Sequence, residues 1–225
     1  MIQIPGRRTV LRREPKQERS RDRIDEILKV AMALIGQTGI DGVTMKEIAA
    51  LSGGPIASVY QYFPNKAAII SMLYERHCDE NRDMVANYVM PIKTAEDVPT
   101  AAFEIEKQYY RRSRETPASQ DLINAIQAHK VLQGMVLAET RFQANMFYHA
   151  TCRFVPAAAR EPYDRAVFLV FHLAAATVRL ALMIQPKEGD YVVSNFMSII
   201  EAQLSIFVSI NDLRDFTDVR LSPTT

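Results

Sequence analysis

The sequence predicts an all-α protein in which a three-helix head carrying a helix-turn-helix precedes a larger helical body. Three observations carry this expectation. Apolar residues recur at helical rather than alternating spacing, and no alternating run is long enough to build a sheet. Within residues 44–62 a capping sequence opens one short helical pattern, and two glycines and a proline separate it from a second. Beyond residue 90, prolines and glycines divide the chain into segments of helix length.

The elements follow in order. Residues 1–19 read as a basic arm: the first 23 residues hold Arg7, Arg8, Arg12, Arg13, Lys16, Arg19, Arg21 and Arg23, with Pro5, Gly6 and Pro15 breaking any early helix. Such an arm either reaches a minor groove and phosphates or is a solvated tail. The head is expected over residues 20–80. From a start near Ser20 or Asp22, Ile24, Ile27, Leu28, Ala31, Leu34 and Ile35 keep helical spacing until Gly36 and Gly39 end the helix. Thr44 with Glu47 three residues on is a capping box, opening a helix whose Ile48, Ala49 and Leu51 face inward. Gly53 and Gly54 can take the positive φ of a sharp reversal, and Pro55 suits the first turn of a helix reaching Tyr62. With Ile40 and Val43 these helices share one core, leaving the last helix outside, as a recognition helix is presented to a major groove. Ser58 and Gln61 are then candidates for base edges, and Ile56 and Ala57 for thymine methyls. The plainer alternative is a helical hairpin whose tyrosines and phenylalanine are core.

The ending Tyr60-x-Tyr62-Phe63-x-x-Lys66, followed by Ile69 and Ile70, adds to the helix at 22–36, Gly39, the Thr44 cap, Ile48-Ala49 and Gly53. Over these residues, about a quarter of the chain, the sequence resembles the tetracycline-repressor (TetR) family of bacterial transcription regulators. The resemblance implies a DNA-binding head, a body that dimerises, and usually a small-molecule inducer pocket in that body. It also implies that Thr44, Tyr60, Tyr62 and Lys66 hold phosphates, for which amides, hydroxyls and an ammonium are suited. The recognition helix departs from the family pattern: Pro55, Ile56 and Ala57 stand where a polar residue, a lysine and a glycine are common.

Asn65 caps a long helix connecting the head to the body, which is expected over residues 81–212 before a polar tail at 213–225. That helix carries Ile69, Ile70, Leu73, His77, Met84 and Val85 toward Pro91. Further helices are expected at 95–114, 118–131, 133–155, 162–184 and 190–211, broken at Pro99, Pro117, Gly134, Pro156, Pro162, Pro186 and Gly189. Residues 166–184 are apolar nearly all round. Arg179 argues against a membrane span, where burying it would cost about 2.5–3.5 kcal/mol, and a helix of this kind can lie between its own core and a partner. Val192, Phe196, Ile199, Ile200, Leu204, Phe207 and Val208 form a stripe on the last helix. The two helices suggest a homodimer interface with Phe168, Arg179, Phe196, Ile200, Leu204 and Phe207 as candidates, matching the two-fold symmetry of a paired operator; the alternative is that they complete a monomer core. For an effector pocket the candidates are Tyr109, Tyr110, His129, Met135, Phe142, Met146, Phe147, His149, Phe171 and His172, since Met and aromatic side chains line adaptable apolar cavities.

Composition sets the limits. With 225 residues, 48% hydrophobic and 24% charged, the chain can bury a real core. The net charge of +1 is unevenly spread: residues 1–76 hold 12 Lys and Arg against 8 Asp and Glu, leaving 15 against 18 beyond. The head is basic and the body acidic. No nucleophile elbow, phosphate loop, dinucleotide fingerprint or zinc helix is present, which argues against an enzyme and implies no cofactor. His77 and Glu80 share a helix face, too little for a metal site. Cys78 and Cys152 are expected as buried free thiols, and the N-terminus has no secretory signal, implying a cytoplasmic protein. Together these features predict a dimeric regulator of transcription, a repressor released from double-stranded DNA by a small hydrophobic or aromatic effector. Two other readings are a ligand-independent DNA-bound adaptor that docks a protein, and an all-helical enzyme.

Overall fold

The structure, a computed structural model, describes residues 18–128 and 133–209. These form α1 (Glu18–Gly42), α2 (Met45–Leu51), α3 (Ile56–Tyr60), α4 (Lys66–Val89), α5 (Asp97–Glu115), α6 (Pro117–Ala128), α7 (Gln133–Thr151), α8 (Arg160–Met183) and α9 (Pro186–Ser209). Two single 3-10 turns, Cys152–Phe154 and Ala157–Ala159, join α7 to α8. No strand occurs among the described residues. The architecture is all-α, an N-terminal helix-turn-helix followed by a helical body. Residues 1–17 of the expected arm, the tail at 213–225 and His129 lie outside the described residues.

Two compact units are present. The first takes the chain to Asp79 and adds Thr116–Val136; the second takes Glu80–Glu115 and the chain from Leu137 onward. The first crossing between the units lies between Asp79 and Glu80. α6, expected in the body, instead belongs to the first unit, where Leu122 and Ile126 join Ile27, Leu28, Ile35, Ile48, Val59, Phe63 and Ile69 in one core. The second core is built on Val85, Val98, Phe147, Tyr163, Val167, Ile200, Leu204 and Phe207.

Helix ends depart from the sequence expectation for local reasons. Gly36 does not stop α1, because a glycine inside a helix lowers stability without forbidding the turn. Gly39 does break it, with φ 69 and ψ 172. Pro186 and Pro117 open α9 and α6 rather than only ending their predecessors, as a first helical position tolerates a missing N–H. Pro99 and Pro162 sit in the first turns of α5 and α8, where the N–H would lack an intrahelical partner anyway. Gly189 stays within α9, since a Cβ there would collide with the Ala181 carbonyl of α8. The Asn65 cap is present, its Oδ1 accepting from the Ala68 amide at 2.9 Å.

In the second unit the Arg82 guanidinium pairs with the largely buried Glu139 carboxylate, which also accepts from Gln143 Nε2 at 2.9 Å, tying α4 to α7. Thr151 and Tyr163 hydroxyls lie 2.8 Å apart within the core. Burial raises the Tyr163 phenol above its ordinary range, so it stays a neutral hydrogen-bonding group. Cys78 is buried and Cys152 half-buried rather than fully buried; neither is in a disulfide among the described residues.

Candidate nucleic-acid interface

The capping box forms as expected. Thr44 is the N-cap of α2 with extended backbone at φ −120, ψ 151. Its Oγ1 accepts from the Glu47 amide at 3.2 Å, while Glu47 Oε2 accepts from the Thr44 amide at 3.0 Å and hydroxyl at 2.7 Å. Ile48 and Ala49 are buried, but Leu51 is 63% exposed. At 100° per residue it falls off the arc shared by Ile48, Ala49 and Ser52.

The turn is held from outside itself. Gly53 takes φ 72, which side-chain-bearing residues rarely adopt. Arg23 of α1 donates through Nη1 to the Ser52 carbonyl and through Nη2 to Ser58 Oγ at 2.8 Å. A Cβ on Gly54 would stand 2.7 Å from Nη2, so glycine there makes room for the guanidinium. One side chain thereby fixes the end of α2 relative to the start of α3.

Pro55 is the N-cap of α3, extended at ψ 147, rather than a residue of its first turn. Val59 anchors the helix in the core, leaving Ile56, Ala57, Tyr60 and Gln61 exposed. Ser58 is half-buried and its hydroxyl already accepts from Arg23, which weakens it as a base-reading group. Tyr62 is only 7% exposed and belongs to the core with Phe63, against its expected phosphate contact. The Tyr62 and Phe63 amides both turn back onto the Val59 carbonyl, and this reversal carries both rings inward. Lys66 is likewise committed: Nζ donates to the Ile40 carbonyl at 2.8 Å, closing the end of α1 beyond its kink.

The body candidates separate by exposure. Phe147 is buried and packs against Phe171 with ring centroids 5.8 Å apart, as core. His149 and His172 are exposed on the protomer, against an expected pocket lining. Tyr109, Tyr110, Met135, Phe142, Met146 and Phe171 are half-buried. Of these, Tyr110 donates to Asp190 Oδ1 at 2.9 Å, and the Arg82 guanidinium lies over the Phe142 ring at 4.6 Å.

Three of the six interface candidates are corrected. Ile200, Leu204 and Phe207 are at most 3% exposed and complete the protomer's own core, because the stripe on α9 is wide enough to serve two faces. Phe168, Arg179 and Phe196 are half-buried, with the Arg141 guanidinium 3.4 Å from the Phe168 ring centroid. The outward residues are others: Leu169, Leu173, Leu180 and Met183 share one face of α8, opposite the buried Val167 and Val178, and Tyr191, Ile199 and Ile206 share one of α9.

Residues 27–73 match the family model described as bacterial regulatory proteins, tetR family. Residues 97–208 match the tetracyclin repressor-like C-terminal domain. The chain belongs to the TetR family. No curated protein sequence matches the chain. Among solved structures, a TetR-family regulator from Streptomyces coelicolor superposes with TM-score 0.63 at 18% identity, over 86% of this chain and 99% of that one. The fatty acid degradation regulator FadR from Bacillus halodurans gives 0.62 at 14%, over 89% and 99%. The protein in a SmeT–triclosan complex gives 0.59 at 16%, over 79% and 91%. At these identities the structural likenesses establish the fold.

Within this TetR-family chain, the bracing role of Arg23 leaves no signal in the sequence. Arg23 was counted as arm charge, and nothing local signals that a residue 29 positions before Ser52 would brace the turn.

Proposed function

We propose that this TetR-family regulator works as a cytoplasmic homodimer that represses transcription from a two-fold operator and lets go when a small hydrophobic or aromatic effector enters its body. The observation that carries the reading is the uncovered apolar surface of α8 and α9. Leu169, Leu173, Leu180, Met183, Tyr191, Ile199 and Ile206 are each at least 41% exposed, on two helices that pack against each other. Residues 157–183 and 186–209 are long and apolar enough to cross a membrane, yet only 17% and 33% of their most apolar windows are buried within the protomer. Apolar surface on that scale marks an interface. A second copy related by a two-fold axis covers the strip with itself and leaves no edge for further growth.

Paired heads then present two α3 helices to successive major grooves. Gln61 reads adenine, Ile56 and Ala57 touch thymine methyls, and Tyr60 reaches a phosphate. Thr44 contributes through the start of α2, where amides favour an anion. Lys66 and Tyr62 act on DNA indirectly, by fixing the head. The half-buried aromatic and Met residues of the body, Tyr109, Tyr110, Phe142, Met146 and Phe171, support an apolar effector, and SmeT, a protein of the same fold, is described in complex with triclosan. An effector that prefers one head spacing weakens operator binding by its differential affinity for the two states.

Selection of bound fragments from random double-stranded DNA tests this. The expected product is a pseudo-palindrome whose half-sites are about 34 Å or a multiple of it apart. Enrichment of no sequence, or of one unpaired half-site, would overturn the reading.

A further inference from the structure

α5 carries a carboxyl group that the fold does not use. Glu106 is 2% exposed, and its Oε1 has no hydrogen-bond partner among the described residues. Helical spacing puts it on one face with Ala102 and Phe103 before it and Tyr109 and Tyr110 after it. Phe103 and Tyr110 pack against Ala181 of α8 and Val193 and Met197 of α9, so the surroundings of this face are apolar. Asp190, the carboxylate bound to Tyr110 of this face, is satisfied by accepting from Tyr110 Oη at 2.9 Å and pairing with Arg114 at 2.8 Å. Burial alone pushes the Glu106 carboxyl up to about 8, with no charged neighbour offsetting it.

An ionisable group without a partner in an apolar layer costs stability, and leucine would fill the same place without that cost. A neutral acceptor ligand needs only a hydroxyl opposite it, which Ser, Thr or Tyr supplies more cheaply. A group of opposite charge is the partner for which a carboxyl is the fitting answer. We propose that Glu106 is the recognition point for a cationic effector, a protonated amine carried on an apolar or aromatic body, whose ammonium ion-pairs with the carboxylate while its body lies along the α5 face among Phe103, Tyr109 and Tyr110. This rests on the effector reading above and narrows it from hydrophobic molecules in general to hydrophobic amines.

Calorimetric titration of the full-length protein with naphthylmethylamine and phenylbutylamine, each beside its alcohol of the same shape, tests the assignment. A buried charge-assisted hydrogen bond predicts that each amine binds about 10- to 100-fold more tightly than its alcohol. Glu106→Gln should erase that preference while leaving alcohol binding within about threefold, and Glu106→Leu should do the same if the glutamine variant folds poorly. Equal binding of amine and alcohol, retention of the preference in both variants, or binding of neither probe to the wild type would overturn it. Operator binding measured on the same samples separates the two levels. Absence of an amine preference in the wild type with operator binding intact sinks the cation site alone, whereas a wild-type preference in a protein that selects no DNA sinks the regulator reading alone.

Discussion

The two units are built from the same helices and the same aliphatic side chains, yet they differ in what they leave unsatisfied. In the first, the functional surface is closed by the chain's own contacts: Glu47 and Thr44 cap each other, Arg23 braces the turn, and Lys66 caps α1. In the second, an apolar strip on α8 and α9 is uncovered within the protomer and the buried Glu106 Oε1 has no hydrogen-bond partner among the described residues. The head is complete as a single copy. In the proposed account a second subunit covers the strip and a ligand meets Glu106, which would join a fixed reader to a unit whose state depends on partners.

Adjacent residues on α9 break the comparison most sharply. Ile200→Glu places a charge in the protomer core, where Ile200 is 1% exposed, and should unfold the second unit at a cost of about 3–5 kcal/mol. Ile199→Glu, one residue earlier and 62% exposed, should leave the protomer folded but give monomers. Thermal unfolding by circular dichroism separates the two, and equal destabilisation would show that the two faces are not distinct.

A second effect comes from Glu106, whose folded value of about 8 stands above its ordinary 4.5. The folded state holds the proton longer than the unfolded one, so the contribution is full below the unfolded value and is lost as pH rises toward the folded value. Glu106→Gln should therefore gain stability relative to wild type as pH climbs from 5 to 8, by roughly 4 kcal/mol at most. Urea denaturation at several pH values checks this, and a difference that does not change with pH would contradict it.

Smaller changes sharpen the head. Lys66→Ala removes a charged donor from the Ile40 carbonyl and should cost about 1–2 kcal/mol of head stability. Its operator affinity should fall through loosening of the head more than through a lost phosphate contact, so the salt dependence of binding should stay nearly unchanged. A slope reduced by about 0.9 in a variant of wild-type stability would restore Lys66 to the phosphates. The smallest effect is expected at Gln61, whose change to alanine should leave stability alone and relax base preference at one position by about 1 kcal/mol, read by competition among operator variants.

Legibility in the sequence followed the range of the interactions. The capping box, the Gly53 reversal and the Asn65 cap involve residues within three or four positions and were readable from spacing alone. Pairings across long separations were not: Arg23 with Ser58, Lys66 with Ile40, and α6 with the head core all join segments whose sequences carry no mutual signal. Apolar stripes announced that α8 and α9 are buried, but a stripe does not say by what. The stripe on α9 includes Ile200, Leu204 and Phe207, which face the protomer, and Ile199, which does not. Glu106 was unreadable because a glutamate among exposed neighbours such as Lys107 looks like solvated charge until the fold buries it.

Sedimentation velocity of the wild type and Ile199→Glu, alone and with a selected operator fragment, bears most directly on the claim that an outward strip on α8 and α9 pairs the heads. The account predicts a wild-type dimer that binds the fragment as a pair, and a folded Ile199→Glu monomer whose operator affinity is at least about 100-fold weaker, a loss of roughly 2.7 kcal/mol. A wild-type monomer that binds the operator singly, or an Ile199→Glu variant that stays dimeric with unchanged affinity, would contradict it.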